Sequence, residues 1–256
     1  MKSILTLVGK DLRGFFASPI FYVVACVYSI VLMFYGFQLI RFNEALKNMM
    51  LSPGAPPDTY NIHFQVFRFL VVLIFWLFLF LIPALTMRLI SEEKKNRTFD
   101  LLLTSPISSV QIVLAKYLAG LGAVAGLLAV SFMYPLVTAY FAKFSWTMLG
   151  GLFLGIFLVG AAFVAVDLFC SAVTESPLIA YVLSVVFNFS LLLVGFGAEL
   201  ADSPKVRAVF EHISVNLHFM NMAEGSIKSG SLIYFLTLIG LFIFLSERII
   251  EAHRWR

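Results

Sequence analysis

Six apolar runs divide this chain, at residues 20–40, 69–89, 112–140, 149–173, 178–197 and 232–246. A helix of about 20 residues crosses the ~30 Å hydrocarbon layer of a bilayer. The last run is short and is expected to extend towards Ile250. Backbone in lipid must satisfy its own hydrogen bonds, so runs of this length are read as helices. The chain is 61% hydrophobic, where soluble domains are nearer half. The fold expected is therefore an all-α integral membrane protein with six transmembrane helices in one domain, 1–256. Pro83 and Pro135 fall inside the second and third runs, where kinks or local unwinding are expected.

Orientation follows from the basic residues. With both termini in the cytoplasm, the inner segments hold eleven of the 18 Lys and Arg residues, and the cluster beside the second run weighs most. The net charge of +4 is thus a topology signal, and no basic groove with stacking aromatics points to nucleic acid. Cys26 and Cys170 both fall within apolar runs and show no metal-ligand spacing. The apolar run continues well past Cys26, so it is read as part of an uncleaved first helix.

The segment 88–111, between the second and third runs, is unlike a simple hairpin. Glu92, Glu93, Lys94, Lys95, Arg97 and Asp100 fall within nine positions of a chain that is only 12% charged. Phe99, Leu101, Leu102 and Leu103 follow, and Pro106 stops whatever helix they form. With Ser91 and Thr98, the segment reads as a short amphipathic helix at the membrane surface, built to contact a soluble partner. The plain alternative is an ordinary positive-inside loop.

In segment 1–18, Ile4, Val8, Leu12 and Phe15 recur on one helical face, and Ser3, Thr6, Lys10 and Arg13 on another. That pattern suits an interfacial helix, which Ser18-Pro19 then breaks. Outside, Ser52-Pro53-Gly54-Ala55-Pro56-Pro57 is expected to be irregular. The outer loop 198–231 repeats Val206, Val209, Phe210 and Ile213 helically and reads as short re-entrant or surface helices. Gly122/Gly126 and Gly151/Gly155 form small faces that allow close helix approach.

Asp167 lies deep in the fourth run, and a carboxylate at that depth is a functional hypothesis by default. An aspartyl protease needs a second membrane aspartate, which the other runs do not supply, and no HExxH or Ser/His arrangement is present. Asp167 is expected to bond a neighbouring helix, through Asn188 or a hydroxyl, or to line a pathway. Ion-coupled secondary transport through Asp167 is the competing reading, but clear internal repeats are missing and the charged segment would go unexplained. His218, Met220 and Met222, with Met49, Met50 and His63, are soft donors, yet such residues more often pack than ligate, and no metal site is assigned.

Three stretches then point to a family. The start Lys10-Asp11-Leu12-Arg13-Gly14-Phe15-Phe16-Ala17-Ser18-Pro19, the 92–106 segment, and a patch of Leu217-His218-Phe219 with Gly225 and Tyr234 resemble the membrane subunits of type-2 ABC exporters. Among these the chain looks most like gliding-motility-associated and nitrous-oxide-reductase-maturation permeases. It departs at Glu224, at Gly230-Ser231 and at Asn96-Arg97, the last standing where a glycine turn is usual. The resemblance implies that residues 92–103 form the coupling helix that docks on an ATPase subunit, with Phe99 and Leu102 seated in its groove. It also implies two ATPase copies that bind ATP and Mg, a second permease copy or a similar permease, and no cofactor in this chain. The implied location is the bacterial inner membrane, and the implied work is export, or force applied to a periplasmic or envelope partner. The chain has no phosphate loop of its own, because Gly9-Lys10 is followed by Asp11.

Overall fold

The structure, a computed structural model, describes residues 2–51, 61–104, 107–140, 142–200, 203–223 and 228–254. Residues 52–57, Pro106, Glu224 and Gly225, and the side chains of Ser3, Met49, Met50, Asp100 and Leu103, lie outside this description. All regular structure among the described residues is helical. Helix α1 (Lys2–Ala17) precedes α2 (Pro19–Leu32) and α3 (Phe34–Leu51), which together make the first span, Pro19–Leu46. A single π turn, His63–Phe67, leads into α4 (Arg68–Thr86), α5 (Arg88–Lys95) and α6 (Phe99–Leu103). Then come α7 (Ser109–Thr138), α8 (Trp146–Val173), α9 (Pro177–Leu200), α10 (Pro204–Ile213), α11 (Val215–Ala223) and α12 (Ser229–Arg254).

Six helices are long and apolar enough to cross a membrane: Pro19–Leu46, Gln65–Lys95, Ser109–Thr138, Trp146–Val173, Pro177–Ala198 and Ser229–Arg254. Each overlaps one of the six expected runs. The second extends furthest beyond expectation, because charged residues continue the helix past the apolar stretch, and the sixth runs through Ile250, towards which it was expected to extend. Glu251 near the end of the sixth span accepts from the Ser109 hydroxyl at the start of α7.

Helix α8 is apolar on every side and is the buried centre of the bundle, packing on α4, α7, α9, α11 and α12. The first span is held to α7 by a polar ladder: Tyr28 with Ser131, and Tyr35 with Thr138 at 2.7 Å. Both pairs repeat at a seven-residue interval on both helices, which fixes the register of two apolar helices. The glycine face of α7 receives α1: a side chain at Gly122 would meet Leu12, and one at Gly126 would touch Phe21 and Phe16. Beyond α9, two short helices fold back on the bundle. Phe219 of α11 is buried and stacks on Phe75 of α4 with ring centroids 4.7 Å apart. We call the end carrying α1, α5 and α6 the charged end.

Candidate coupling site at the charged end

The second span does not stop where its apolar residues stop. Pro83 sits inside α4 without disrupting it, and the helix interrupts one turn later, at Met87. An interruption frees backbone groups, which must find partners when buried. Ser171 of α8 supplies them. Its hydroxyl accepts from the N–H of Ile90 (3.1 Å) and of Ser91 (3.0 Å) and donates to the Met87 carbonyl (2.9 Å). One turn on, the buried Lys94 ammonium donates to the Ala172 carbonyl, at the last turn of α8, where a cation is favoured. Helix α5 is therefore fastened to α8 along its inner face and leaves the bundle as a rigid extension of the second span.

The expected single helix over 92–103 is two helices. Helix α5 ends in a paired cap: Thr98 N–H donates to the Glu93 carbonyl (2.9 Å) and Arg97 N–H to the Lys94 carbonyl (3.0 Å). This cap places the residue after Asn96 in the left-handed region, and Arg97 holds φ 57° there. The glycine usual at this turn is thus replaced by a residue that takes the same backbone conformation at a cost.

Three helices meet at one buried lysine. Lys116 of α7, 4% exposed, lies 2.7 Å from Glu93 Oε1 on α5 and 3.1 Å from Asp11 Oδ2 on α1. Lys10 reaches the same Glu93 oxygen at 3.4 Å from the surface. Burial pushes the Asp11 carboxyl above the ordinary carboxylate range, and the Lys116 charge works against that rise. The cluster clamps α1, α5 and α7 together.

The charged segment accordingly divides by role. Glu93, Lys94 and Ser91 point into the protein and hold α5 in place. Phe99, expected in a partner's groove, is 3% exposed; Lys94 lies over its ring at 5.4 Å and His253 of α12 meets it edge-on. Once the turn at Arg97 reverses the chain, the first residue of α6 faces α12 and not solvent. Leu102 is half-buried against the core, and among the described side chains of α6 the exposed apolar one is Leu101, at 71%. Lys95, Asn96, Arg97 and Thr98 are exposed at the tip, with Glu92 on its flank. On α1, Asp11 faces the clamp, Phe15 packs half-buried against the core, and Lys10 and Arg13 are exposed.

One turn into the bundle from Ser171, the same face of α8 carries Asp167. The structure brings it together with Asn188: Asn188 Nδ2 donates to Oδ1 at 2.8 Å, and the Thr86 hydroxyl lies 2.8 Å from Oδ2. That hydroxyl lies 2.8 Å from the Ile82 carbonyl as well. The Thr86 hydroxyl therefore sits between two acceptors, the Ile82 carbonyl and the Asp167 carboxyl. Asp167, Ser171 and Ala172 thus form one polar seam on α8 that grips the second span across its interruption.

At the opposite end, His63 accepts from Ser145 N–H through Nε2 (3.1 Å), and burial lowers its basicity. His218 stacks on Tyr234, and its ring nitrogens contact Ser231 Oγ (3.1 Å) and the His212 carbonyl (3.2 Å). Burial lowers His218 too. Of the soft donors named from sequence, His63 and His218 bond within the protein and Met222 is buried, and no group of three His, Cys, Asp or Glu side chains that could hold a metal ion occurs among the described residues.

Sequence reasoning missed Thr86, Ser171 and the clamp role of Lys116, and named Leu101 only as part of the apolar stretch after the charges. The signals were present: Thr86 and Ser171 are hydroxyls in apolar runs, and Lys116 follows a capping box, Ser108 with Gln111, that opens the third span. Compared with known protein families, the chain matches the one described as "ABC-2 family transporter protein" over residues 6–233. No curated protein matches it.

Proposed function

Since the chain belongs to the ABC-2 family of transporter membrane proteins, we propose that it is the permease subunit of an ABC exporter in the bacterial cytoplasmic membrane. In this reading both termini face the cytoplasm, a second permease copy completes the pathway, and two separate ATPase subunits bind ATP and Mg beneath. The basic excess on the inner segments supports the orientation. The single observation that carries the reading is a solvent-exposed tip, Lys95 to Thr98 with Leu101, fixed to the bundle centre by buried polar contacts.

A contact that transmits force needs an adhesive outer surface and a stiff inner mount. The tip offers cations at Lys95 and Arg97 and an apolar anchor at Leu101, a mix that sets partner and register. The mount is the seam and the clamp. When the ATPase dimer closes and pulls the tip, Ser171 and Lys94 carry the displacement into α8, and the Lys116 cluster carries it into α1 and α7. Glu93, Ser91 and Phe99 serve the coupling from inside, and Asp167 with Asn188 keeps the seam rigid at membrane depth. The same motion could move a cargo or pull on an envelope partner.

The test uses the double variant Lys95→Glu/Arg97→Glu, whose side chains are exposed. Wild-type protein isolated from its native membranes should bring vanadate-sensitive ATPase activity with it. The variant should insert normally and lose roughly tenfold of that activity, as expected when two interface charges turn repulsive. Undiminished ATPase binding and hydrolysis would overturn the assignment.

A further inference from the structure

A cleft of about 420 Å3 opens at the charged end between α1, the start of α2, and the continuous wall of α4 and α5. Its deeper part, towards the hydrocarbon, is lined by Phe15, Phe21, Ala84 and Leu85. Its outer part carries Arg88 and Glu92, with Lys10 across from them. The buried charges at its back, Asp11, Glu93 and Lys116, neutralise one another. Arg88 and Glu92 do not join in: neither side chain has an ion-pair or hydrogen-bond partner among the described residues. They sit four residues apart on one helix wall, about 6 Å along the axis. The cation is nearer the membrane, and the anion is one turn further out.

That order is the order of charges in a zwitterionic phospholipid headgroup. The phosphate lies next to the glycerol and the acyl chains, and the amine lies beyond it, separated by two carbons. We propose that this cleft binds a phospholipid with a primary-amine headgroup, of the phosphatidylethanolamine type. Arg88 takes the phosphate, assisted by Lys10, whose contact with Glu93 is long and exposed. Glu92 accepts from the headgroup ammonium, and one acyl chain lies along Phe21 and Leu85. An anionic headgroup without an amine leaves Glu92 unpaired beside it. A quaternary amine matches the charge but has no N–H to donate. The lipid would thereby bridge the interfacial helix and the second span just inside the coupling tip.

The purified full-length protein is tested by native mass spectrometry with phosphatidylethanolamine, phosphatidylglycerol and phosphatidylcholine of matched chains. Phosphatidylethanolamine should be retained about fivefold over each of the others, the size of one charge-assisted hydrogen bond at a half-exposed site. Glu92→Lys should reverse the order in favour of phosphatidylglycerol, and Arg88→Gln should weaken all three. Equal retention of the three lipids by the wild-type protein, or an unchanged order in Glu92→Lys, overturns the proposal and leaves only general bilayer contact. A second measurement needs no variant. A phosphatidylethanolamine carrying a photoreactive acyl chain should label peptides around Phe15–Phe21 and Ala84–Leu89; labelling spread over the exposed face of α9 instead overturns the site.

Discussion

Replacing Lys116 with methionine is the perturbation with the largest expected effect at the charged end. The wild-type ammonium is 4% exposed and holds two carboxylates that are themselves 11% and 17% exposed, at 3.1 Å and 2.7 Å. Methionine keeps the volume and removes the charge, so Asp11 and Glu93 stay buried beside each other with only the exposed Lys10 nearby. Breaking a buried ion pair by removing one partner costs about 3–5 kcal/mol. The cluster borders an open cleft, which places the expected loss at the lower end, about 3 kcal/mol. For a chain of this size that lowers the melting temperature by roughly 6–12 °C. Thermal unfolding of the detergent-purified protein, followed by circular dichroism, reads this directly. The sign of the pH dependence is also fixed. Burial already raises the Asp11 carboxyl, and loss of Lys116 raises it further. A raised carboxyl favours the folded state when protonated, so the variant's deficit should be full above the raised value and shrink as pH falls through it. Neutralising the whole cluster, in Asp11→Asn/Glu93→Gln/Lys116→Met, should restore most of the lost stability, because no buried charge is then left unpaired. A single Lys116→Met variant as stable as wild type at neutral pH would refute the clamp.

Two further outcomes are expected at the seam and the cap. Asp167→Asn leaves both Thr86 and Asn188 a hydrogen-bond partner, so it should assemble and change stability by less than about 1 kcal/mol; Asp167→Leu strands both partners and should cost about 2 kcal/mol, measured by the same unfolding assay. Arg97→Gly keeps the left-handed conformation but relieves its cost to a non-glycine residue, about 1 kcal/mol or more. Part of that gain is offset by the looser unfolded chain, so the variant should be as stable as wild type or up to about 1 kcal/mol more so, whereas Arg97→Val should be clearly less stable.

The spans were legible because hydrocarbon imposes a length and a composition on any helix that crosses it, and those constraints are written locally. The charged end was less legible because its geometry depends on residues far apart in the chain. The sequence marked 92–103 as special, but one hydroxyl on α8, Ser171, is what lets α5 continue through the interruption at Met87 as an extension of the second span. Phe99 faces inward because α12 carries His253 to that point, a proximity that no local pattern records. Lys116 was visible as a topology charge at the inner end of the third span; its partners lie 105 and 23 residues away. Asp167 with Asn188 was within reach of sequence, since a buried carboxylate must find a donor on a neighbouring helix. Thr86, facing it from across the interruption, needed the fold.

Contact between the tip and an ATPase subunit can be read most directly by site-specific cross-linking. On a Cys26→Ser background, which leaves only the buried Cys170, a cysteine is introduced in Leu101→Cys, and the complex isolated from native membranes is treated with a short thiol-reactive cross-linker. Tyr140→Cys, 90% exposed at the opposite end of α7, serves as the comparison. Leu101→Cys should form a covalent adduct with the ATPase subunit, in a yield that changes with bound nucleotide, and Tyr140→Cys should form none. An ATPase adduct at Tyr140→Cys, or an intact ATPase complex with no adduct at Leu101→Cys, would contradict coupling through this tip.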